Sequence, residues 1–141
     1  MQTAVNSPGL PSERLLRRWL RAALRRSATI TVRFVGLAEG RELNRAYRGR
    51  DYATNVLSFG YAGGRGRRLQ GDLVMCAPVL RREARAQGKP LAAHVAHLAV
   101  HGALHLQGYD HATPRAAVRM ESLETTILAK LGIPDPYAGA A

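Results

Sequence analysis

Three histidines at fixed spacing constrain this chain more than any other feature: His101, His105 and His111. The segment 90–106 begins with a proline and contains no other, which is typical of a helix with proline in its first turn. On a helix, residues four apart share one face, with Cβ atoms about 5–6 Å apart. We therefore predict that His101 and His105 bind one metal ion through their imidazole nitrogens.

The residues after this helix predict that the chain returns toward the same face. Gly108 can adopt the left-handed conformation that ends a helix and reverses the backbone, which brings His111 to the metal as a third ligand. Three protein ligands leave a fourth coordination position for water, as in catalytic rather than structural zinc sites. Asp110, in the same turn, is predicted to orient one of the histidine ligands.

One position separates this motif from the metzincin protease motif H-E-x-x-H-x-x-G-x-x-H. The histidine spacing and the glycine match, but Gly102 stands where those proteases carry the glutamate that acts as general base. Glycine has no group that moves a proton. The sequence therefore predicts metzincin-like metal geometry without the chemistry of peptide hydrolysis.

Two more histidines precede the motif. His97 lies one turn before His101 on the same helix face, and we predict that it supports the site from behind the ligands or serves packing. His94 is predicted to have no role at the site.

Length and composition are those of a single globular domain. With 141 residues, 46% of them hydrophobic, the chain can build one core, and residues 1–10 are expected to be a loose tail. No apolar run approaches the roughly 20 residues of a membrane span, and the N-terminus shows no apolar signal segment. The single cysteine, Cys76, suits a reducing compartment, so we expect a cytoplasmic protein that does not bind membranes.

The charge is strongly one-sided, with a net value of +11. Arginine supplies 19 of the 21 basic residues, and 17 of these arginines precede residue 86. Because arginine binds phosphate bidentately and stacks on bases, this balance favours a polyanionic partner, most simply nucleic acid. For any single arginine, a solvated basic surface without a partner is the alternative.

Apolar periodicity and turn residues predict the order α-β-α-β-β-α-α-α with no internal repeat. The predicted elements are a helix that starts near Glu13 with Ser12 as its N-cap, strand 29–35, helix 37–47, strand 56–59, strand 72–76, helix 78–87, helix 90–106 and helix 114–131, with Thr113 as the N-cap of the last. Strands 56–59 and 72–76 are expected to pair. The core side of the last helix is predicted to consist of Val118, Leu123, Ile127 and Leu131. This order indicates an α+β fold, a small mixed β-sheet covered by helices, with helix 90–106 on one face.

A second candidate site is the polar loop between helix 37–47 and strand 56–59. Its polar side chains are Arg48, Arg50, Asp51, Thr54, Asn55 and Ser58. Binding residues favour loops that a rigid scaffold holds in place. Ordinary turn chemistry, in which Asp51 and Asn55 bond neighbouring backbone groups, explains the same residue types equally well.

Two motifs resemble a known family. Residues 101–111 match every fixed position of H-G-x-L-H-L-x-G-Y-D-H, the signature of the YbeY family of bacterial metal-dependent endoribonucleases. Residues 43–59 resemble the family pattern L-N-x-x-Y-R-x-x-D-x-x-T-[DN]-V-L-S-F. The resemblance spans roughly residues 39–133; it departs at Ala53, where relatives often have proline, and in the basic segment 61–68.

The resemblance implies one Zn²⁺ per chain, bound by His101, His105 and His111, and a functional arginine at Arg48. It also implies cleavage of single-stranded ribosomal RNA on the small subunit, in maturation of the 16S 3′ end and in ribosome quality control. Ribosome-assembly proteins are further candidate partners. The predicted RNA contacts are Arg48, Arg50, Arg65, Arg67 and Arg68.

The predicted chemistry is metal-assisted cleavage of a phosphodiester. A bound zinc ion supplies a water with a pKa near 7 or polarises a phosphoryl oxygen, and Arg48 offsets the charge of the transition state. The proton acceptor stays open among metal-bound hydroxide, a substrate 2′-hydroxyl and Asp110. Two other functions compete: a non-catalytic RNA-binding assembly factor with a structural zinc and, less favoured, a zinc metalloprotease.

Overall fold

A computed structural model describes residues 2–3, 9–61 and 68–137 of the chain. The helices are α1 (Glu13–Ala23), α2 (Leu37–Arg48), α3 (Ala77–Ala86), α4 (Leu91–Leu106) and α5 (Pro114–Lys130). The strands are β1 (Gln2–Thr3), β2 (Ala28–Val35), β3 (Val56–Tyr61) and β4 (Leu69–Cys76). The predicted α+β order is confirmed, with β1 added in front of it.

The sheet is mixed, with strand order β1-β2-β4-β3. β2 runs parallel to β4, and β3 pairs antiparallel with β4 from Val56 opposite Met75 to Tyr61 opposite Gln70, as expected for the predicted pair. β3 is thus an edge strand. Gln2 and Thr3 fall in the segment predicted as a loose tail, yet they pair in parallel with β2.

The main core lies between one face of the sheet and the helices α1, α4 and α5. From the sheet, Val32, Phe34, Leu73 and Met75 enter this core, and α4 is its central helix. A second, smaller cluster of Val35, Cys76 and Val79 lies apart from the first. There α2 lies close to β4: a Cβ added to Gly40 would be 3.2 Å from the Cys76 sulfur.

Two glycines let α4 lie close to the sheet. A Cβ on Gly102 would come within 2.7 Å of Leu73 Cδ2 and 3.3 Å of Ser58 Oγ. At the end of α4, a Cβ on Gly71 would come within 2.9 Å of a Leu106 methyl group. The histidine-bearing part of α4 is therefore held against β3 and β4.

Side chains and glycines at the helix ends act as the sequence predicts. Ser12 Oγ accepts a hydrogen bond from Leu15 N at 3.2 Å at the start of α1, and Thr113 Oγ1 caps α5 in the same way. Gly108 has a φ of +100° directly after α4, which allows the sharp reversal that follows.

The prediction for the core side of α5 is wrong at Val118, which is 63% exposed. The fully buried residues of this helix are Met120, Glu124 and Leu128, spaced four apart. Leu123, Ile127 and Leu131 lie at the margin of the core, partly buried. The helix is rotated so that a carboxylate, Glu124, occupies the centre of its buried face.

Over the described residues, none of the helices has both the length and the apolar character needed to cross a membrane.

Candidate metal site on α4

Three side chains from different parts of the chain converge beside α4. His101 comes from α4, His111 from the turn after it and Glu124 from α5, and one potential ligand atom of each lies within 4.8 Å of the others. The rings of His101 and His111 stack, with centroids 4.8 Å apart and planes inclined by 16°. The return of His111 after Gly108 is the reversal that the sequence predicts. The group can hold a metal ion.

Glu124 is fully buried and accepts three hydrogen bonds. Its Oε1 lies 2.5 Å from His101 Nδ1, and its Oε2 lies 3.4 Å from His97 Nε2 and also accepts from the Tyr137 hydroxyl. Burial alone would raise the pKa of Glu124, but these hydrogen bonds outweigh it and hold the pKa at about 2. The carboxylate is therefore ionised at neutral pH.

An ionised carboxylate only accepts hydrogen bonds, so His101 Nδ1 must carry the proton of this contact. The Nε2 atom of His101 is then free to bind a metal. Metal-binding histidines commonly give their other ring N–H to a carboxylate or a backbone carbonyl, which fixes the tautomer and the ring orientation. Glu124 holds His101 in this way.

His105, the second predicted ligand, is exposed and lies one turn beyond His101 on α4. Its Nδ1 is 3.1 Å from the Tyr109 carbonyl oxygen, so this ring also has its Nδ1–H occupied and its Nε2 free. The convergent group of described residues consists of His101, His111 and Glu124 and does not include His105. The role of His105 as a metal ligand stays a prediction.

The predicted supporting residues lie in different places. His97 contacts Glu124 and, at 3.2 Å, the Tyr137 hydroxyl, so it lies behind His101 and can act on it through Glu124. Asp110 accepts from Ala112 N at 3.0 Å within its own turn. The contact that orients His101 therefore comes from Glu124.

His94 is buried one turn further from the site, with its Nε2 2.9 Å from Glu83. This pair belongs to the packing of α3 on α4.

Sequence reasoning missed Glu124 and Tyr137 as parts of the site. Glu124 had a usable signal: it stands between Met120 and Leu128 at four-residue spacing, so it interrupts an apolar stripe of α5 with a charge. A carboxylate in such a stripe must find partners, because burying an uncompensated charge is costly. Tyr137 has no comparable local signal, since it follows the last helix in an irregular turn.

In the polar loop, the structure gives partners to two of the candidate residues, but only Asn55 bonds a neighbouring backbone group as turn chemistry predicts, whereas Asp51 pairs with a side chain of α2. Asp51 forms a bidentate pair with Arg41, at 2.7 and 2.8 Å, and Asn55 bonds the Val56 N–H and the Glu83 carboxylate. Within the described residues, the side chains of Arg48 and Arg50 are exposed and make no hydrogen bond or ion pair. These two arginines are thus available to an external anion.

Arg48 ends α2 on the other side of the edge strand from α4. Tyr47 packs edge-on against Phe59 of β3, with ring centroids 5.1 Å apart, whereas the neighbouring Ser58 faces Gly102 on α4. Successive side chains of a strand point to opposite faces, so β3 lies between the end of α2 and the site on α4.

The other predicted RNA contacts are only partly visible. Arg68 is exposed and donates a hydrogen bond to Thr29 Oγ1 at 3.2 Å. Arg65 and Arg67 lie outside the described residues.

A groove of about 910 Å³ borders the site. It runs along α4 past His94, His97 and His101, and residues 133–137 form its opposite wall. Of His101, His111 and Glu124, His101 is the residue that lines this groove, so the group meets the solvent-accessible groove at His101.

The structure combines a mixed sheet, a central helix packed tightly on it, and a group of two histidines and one carboxylate from α4, the following turn and α5 that could hold a metal ion. These features define a class of α+β proteins with a candidate metal site beside the central helix. The chain belongs to the YbeY family, since the family profile described as Endoribonuclease YbeY matches residues 8–132. This confirms the family resemblance of the two sequence motifs.

Individual relatives agree with this assignment. The chain is 62% identical over 135 residues to a protein of Aromatoleum aromaticum named Endoribonuclease YbeY, covering 96% of this chain and 86% of that one. A Nitrosomonas eutropha protein of the same name is 53% identical over 137 residues, covering 97% of this chain and 96% of the relative. The solution structure of TM1509 from Thermotoga maritima shares the fold, with a TM-score of 0.57, 20% identity, and coverage of 93% and 91%.

Proposed function

We propose that this chain is a metal-dependent endoribonuclease that cuts single-stranded ribosomal RNA of the small subunit, in maturation of the 16S 3′ end and in ribosome quality control. The observation that carries the proposal is the convergence of His101 and His111, with Glu124 behind His101, next to an open groove that His101 lines, in a member of the YbeY family. The net charge of +11 supports an RNA partner.

The ion that we propose is Zn²⁺, bound by His101, His105 and His111. Two observations support this set: Nδ1 of His101 is held by Glu124, and Nδ1 of His105 is held by the Tyr109 carbonyl, so both rings offer Nε2. Under this proposal Glu124 orients a ligand and is not one itself, because it lies on the Nδ1 side of the His101 ring. Other divalent ions that accept imidazole remain outcomes of a metal-binding test.

A bound zinc ion supplies a nucleophilic water or a Lewis acid for the phosphoryl group. The chain itself has to bind and orient the RNA strand. Arg48, exposed across β3 from the site, is proposed to hold the scissile phosphate, and Arg50 and Arg68 are proposed to bind neighbouring phosphates. Such contacts need no base at position 102.

The packing of Gly102 argues against the protease alternative. A side chain at this position would be directed at Leu73 and Ser58 of the sheet rather than at the cleft. A glutamate there could not act on a water at the metal. The remaining alternative, an RNA-binding assembly factor with a structural zinc, is disfavoured because His105 and His111 are exposed, whereas structural sites have all four positions closed by protein.

The test is cleavage of labelled ribosomal RNA that carries an unprocessed 3′ end. Native protein, chelator-treated protein and His105→Ala are compared at two salt concentrations. We expect cleavage only by the native protein. RNA binding should weaken at the higher salt, because each phosphate contact with a single strand contributes about −0.7 to the slope of the logarithm of the binding constant against the logarithm of the salt concentration. Salt-sensitive binding without cleavage in any sample would favour the assembly factor, and cleavage by metal-free His105→Ala would refute the zinc mechanism.

The cellular setting is part of the proposal. A cytoplasmic location is supported by the single cysteine, Cys76, whose buried thiol has no partner for an internal disulfide. Co-sedimentation with small ribosomal subunits in cell extracts would test both the location and the ribosomal partner, and it would also show whether assembly proteins accompany the chain.

A further inference from the structure

The carboxylate behind His101 is held from two sides. Its Oε1 faces His101 Nδ1 at 2.5 Å, whereas its Oε2 accepts from the Tyr137 hydroxyl and, at the longer distance of 3.4 Å, approaches His97 Nε2. Burial and the neighbouring Glu124 carboxylate raise the pKa of Tyr137, so its hydroxyl keeps the proton and donates it. Tyr137 is therefore the main donor to the oxygen of Glu124 that faces away from His101.

Tyr137 is placed by a short turn that folds back onto α5. Asp135 Oδ1 accepts from Tyr137 N at 2.9 Å and from Thr125 Oγ1 at 3.3 Å, and Ile133 N donates to Leu128 O at 2.9 Å. The Tyr137 ring meets the His97 ring edge-on, with centroids 5.4 Å apart. These contacts fix the hydroxyl over Glu124.

This turn lies outside residues 8–132, the part of the chain that the family profile matches. The contact to Glu124 thus comes from a segment that the family assignment does not describe. It nevertheless reaches Glu124, the carboxylate that bonds the predicted metal ligand His101.

We propose that Tyr137 is a positioning residue of the metal site: its hydroxyl holds Oε2 of Glu124, so that Oε1 stays on His101 Nδ1 and keeps the His101 Nε2 directed at the metal. A buried carboxylate oxygen without a donor is costly. If the hydroxyl is lost, the carboxylate turns toward His97, the other described donor to Oε2, and its hydrogen bond to His101 weakens. The inference rests on the proposed function only in taking His101 as a metal ligand.

The experiment uses Tyr137→Phe, which removes the hydroxyl and keeps the ring against His97. Tyr61→Phe is the matched control, because the Tyr61 hydroxyl also donates to a carboxylate, that of Asp72, at the exposed end of the hairpin. Zinc affinity of the full-length chain is measured by competition with a chromophoric chelator. Removing a group bonded directly to a ligand typically costs 10–100-fold in metal affinity. Tyr137 is one bond further away, so we expect a loss of about threefold to tenfold in Tyr137→Phe and none in Tyr61→Phe.

A second readout needs neither metal nor RNA. In the metal-free protein, nitrogen NMR of the imidazoles is expected to show His101 protonated on Nδ1, and a mixture of tautomers in Tyr137→Phe. Cleavage at limiting zinc should fall in Tyr137→Phe and recover at excess zinc, which a general loss of structure would not allow. Melting curves of both variants establish that they are folded.

Unchanged zinc affinity and an unchanged His101 tautomer in Tyr137→Phe would overturn the inference. A defect in Tyr137→Ala without one in Tyr137→Phe would do the same, because the ring as a wall of the groove would then matter and the hydroxyl would not. If Tyr137→Phe weakens zinc binding but no form of the protein cuts RNA, the proposed function fails and the positioning role stands.

Discussion

Replacing Glu124 by glutamine tests the electrostatics of the site with a change of almost no volume. The pKa of Glu124 is about 2, against 4.5 for the free side chain. This difference corresponds to about 3 kcal/mol in favour of the folded protein when the group is ionised. Because glutamine keeps one acceptor oxygen, we expect Glu124→Gln to lower the free energy of unfolding of the metal-free protein by about 1–3 kcal/mol at pH 7.

The sign of the pH dependence follows from the lowered pKa. Above pH 4.5, Glu124 is ionised in both the folded and the unfolded chain, and its stabilisation is fully present. As the pH falls from 4.5 toward 2, the unfolded chain takes up the proton first and this stabilisation is lost. The difference between the native protein and Glu124→Gln should therefore shrink as the pH falls from 4.5 toward 2.

Urea unfolding of the metal-free proteins measures this difference, and Glu121→Gln is the matched control. Glu121 lies one turn earlier on α5, and its side chain makes no hydrogen bond or ion pair with any described residue. We expect Glu121→Gln to unfold like the native protein. Equal stability of Glu124→Gln and Glu121→Gln at pH 7 would refute the reasoning.

Zinc affinity of the same variant distinguishes the two ligand sets. If Glu124 orients His101, Glu124→Gln should weaken zinc binding about 10–100-fold while His105→Ala nearly abolishes it. If the ligands are instead His101, His111 and Glu124, the order reverses and His105→Ala binds zinc like the native protein.

Three more predictions follow from individual contacts. Arg48→Ala should leave zinc affinity unchanged and lower the turnover of RNA cleavage, because the exposed Arg48 is proposed to contact only the phosphate. Gly102→Ala gains about 1 kcal/mol of helix propensity. It also places a Cβ 2.7 Å from Leu73 Cδ2, and such overpacking costs about 1–3 kcal/mol. Urea unfolding should therefore show a free energy of unfolding lowered by up to about 2 kcal/mol. Burial outweighs the hydrogen bond to Glu83 and lowers the pKa of His94 below 6.5. The unfolded chain therefore binds the proton first, so the free energy of unfolding should fall as the pH drops below 6.5. His94→Gln should make this acid dependence shallower.

Each of these has its own control. Arg45→Ala removes the same charge from the same helix. If Arg45→Ala lowers turnover as much as Arg48→Ala does, Arg48 acts only through the overall positive charge and not through a specific phosphate contact. Gly49→Ala is unsuitable beside Gly102→Ala, since Gly49 has a φ of +70°. Ala46→Gly on α2 is the better control, because Ala46 is exposed and the change mainly alters helix propensity. An acid dependence that is the same with and without His94 would contradict its assignment as a neutral buried group.

The sequence predicts those parts of the fold that depend on local pattern. The caps Ser12 and Thr113, the helix end before Gly108 and the pairing of β3 with β4 all follow from short-range residue preferences, and the structure confirms them. The family motifs also placed His101 and His111 correctly together. Both come from one continuous stretch of eleven residues, so their proximity is a local property.

The remainder depends on packing between distant segments. Glu124 reaches His101 across 23 residues, and Tyr137 reaches Glu124 only because the turn of residues 133–137 folds back on α5. The exposure of Val118 likewise reflects the rotation of α5 about its axis, which is set by its packing against α4. Periodicity predicts which positions of a helix are apolar. It does not predict which edge of that apolar stripe the core buries and which edge stays exposed.

The contact of Gly102 with the sheet also limits what this scaffold can evolve into. Point mutation to glutamate would restore the written motif of a zinc protease, yet the new carboxylate would be pressed against Leu73 and Ser58 instead of reaching the cleft. To aim it at a bound water, α4 would have to lift off β3 and β4 or rotate, and either movement would displace the histidines along with it. Two reaction classes that differ by one letter in the motif are therefore separated by a rearrangement of the core.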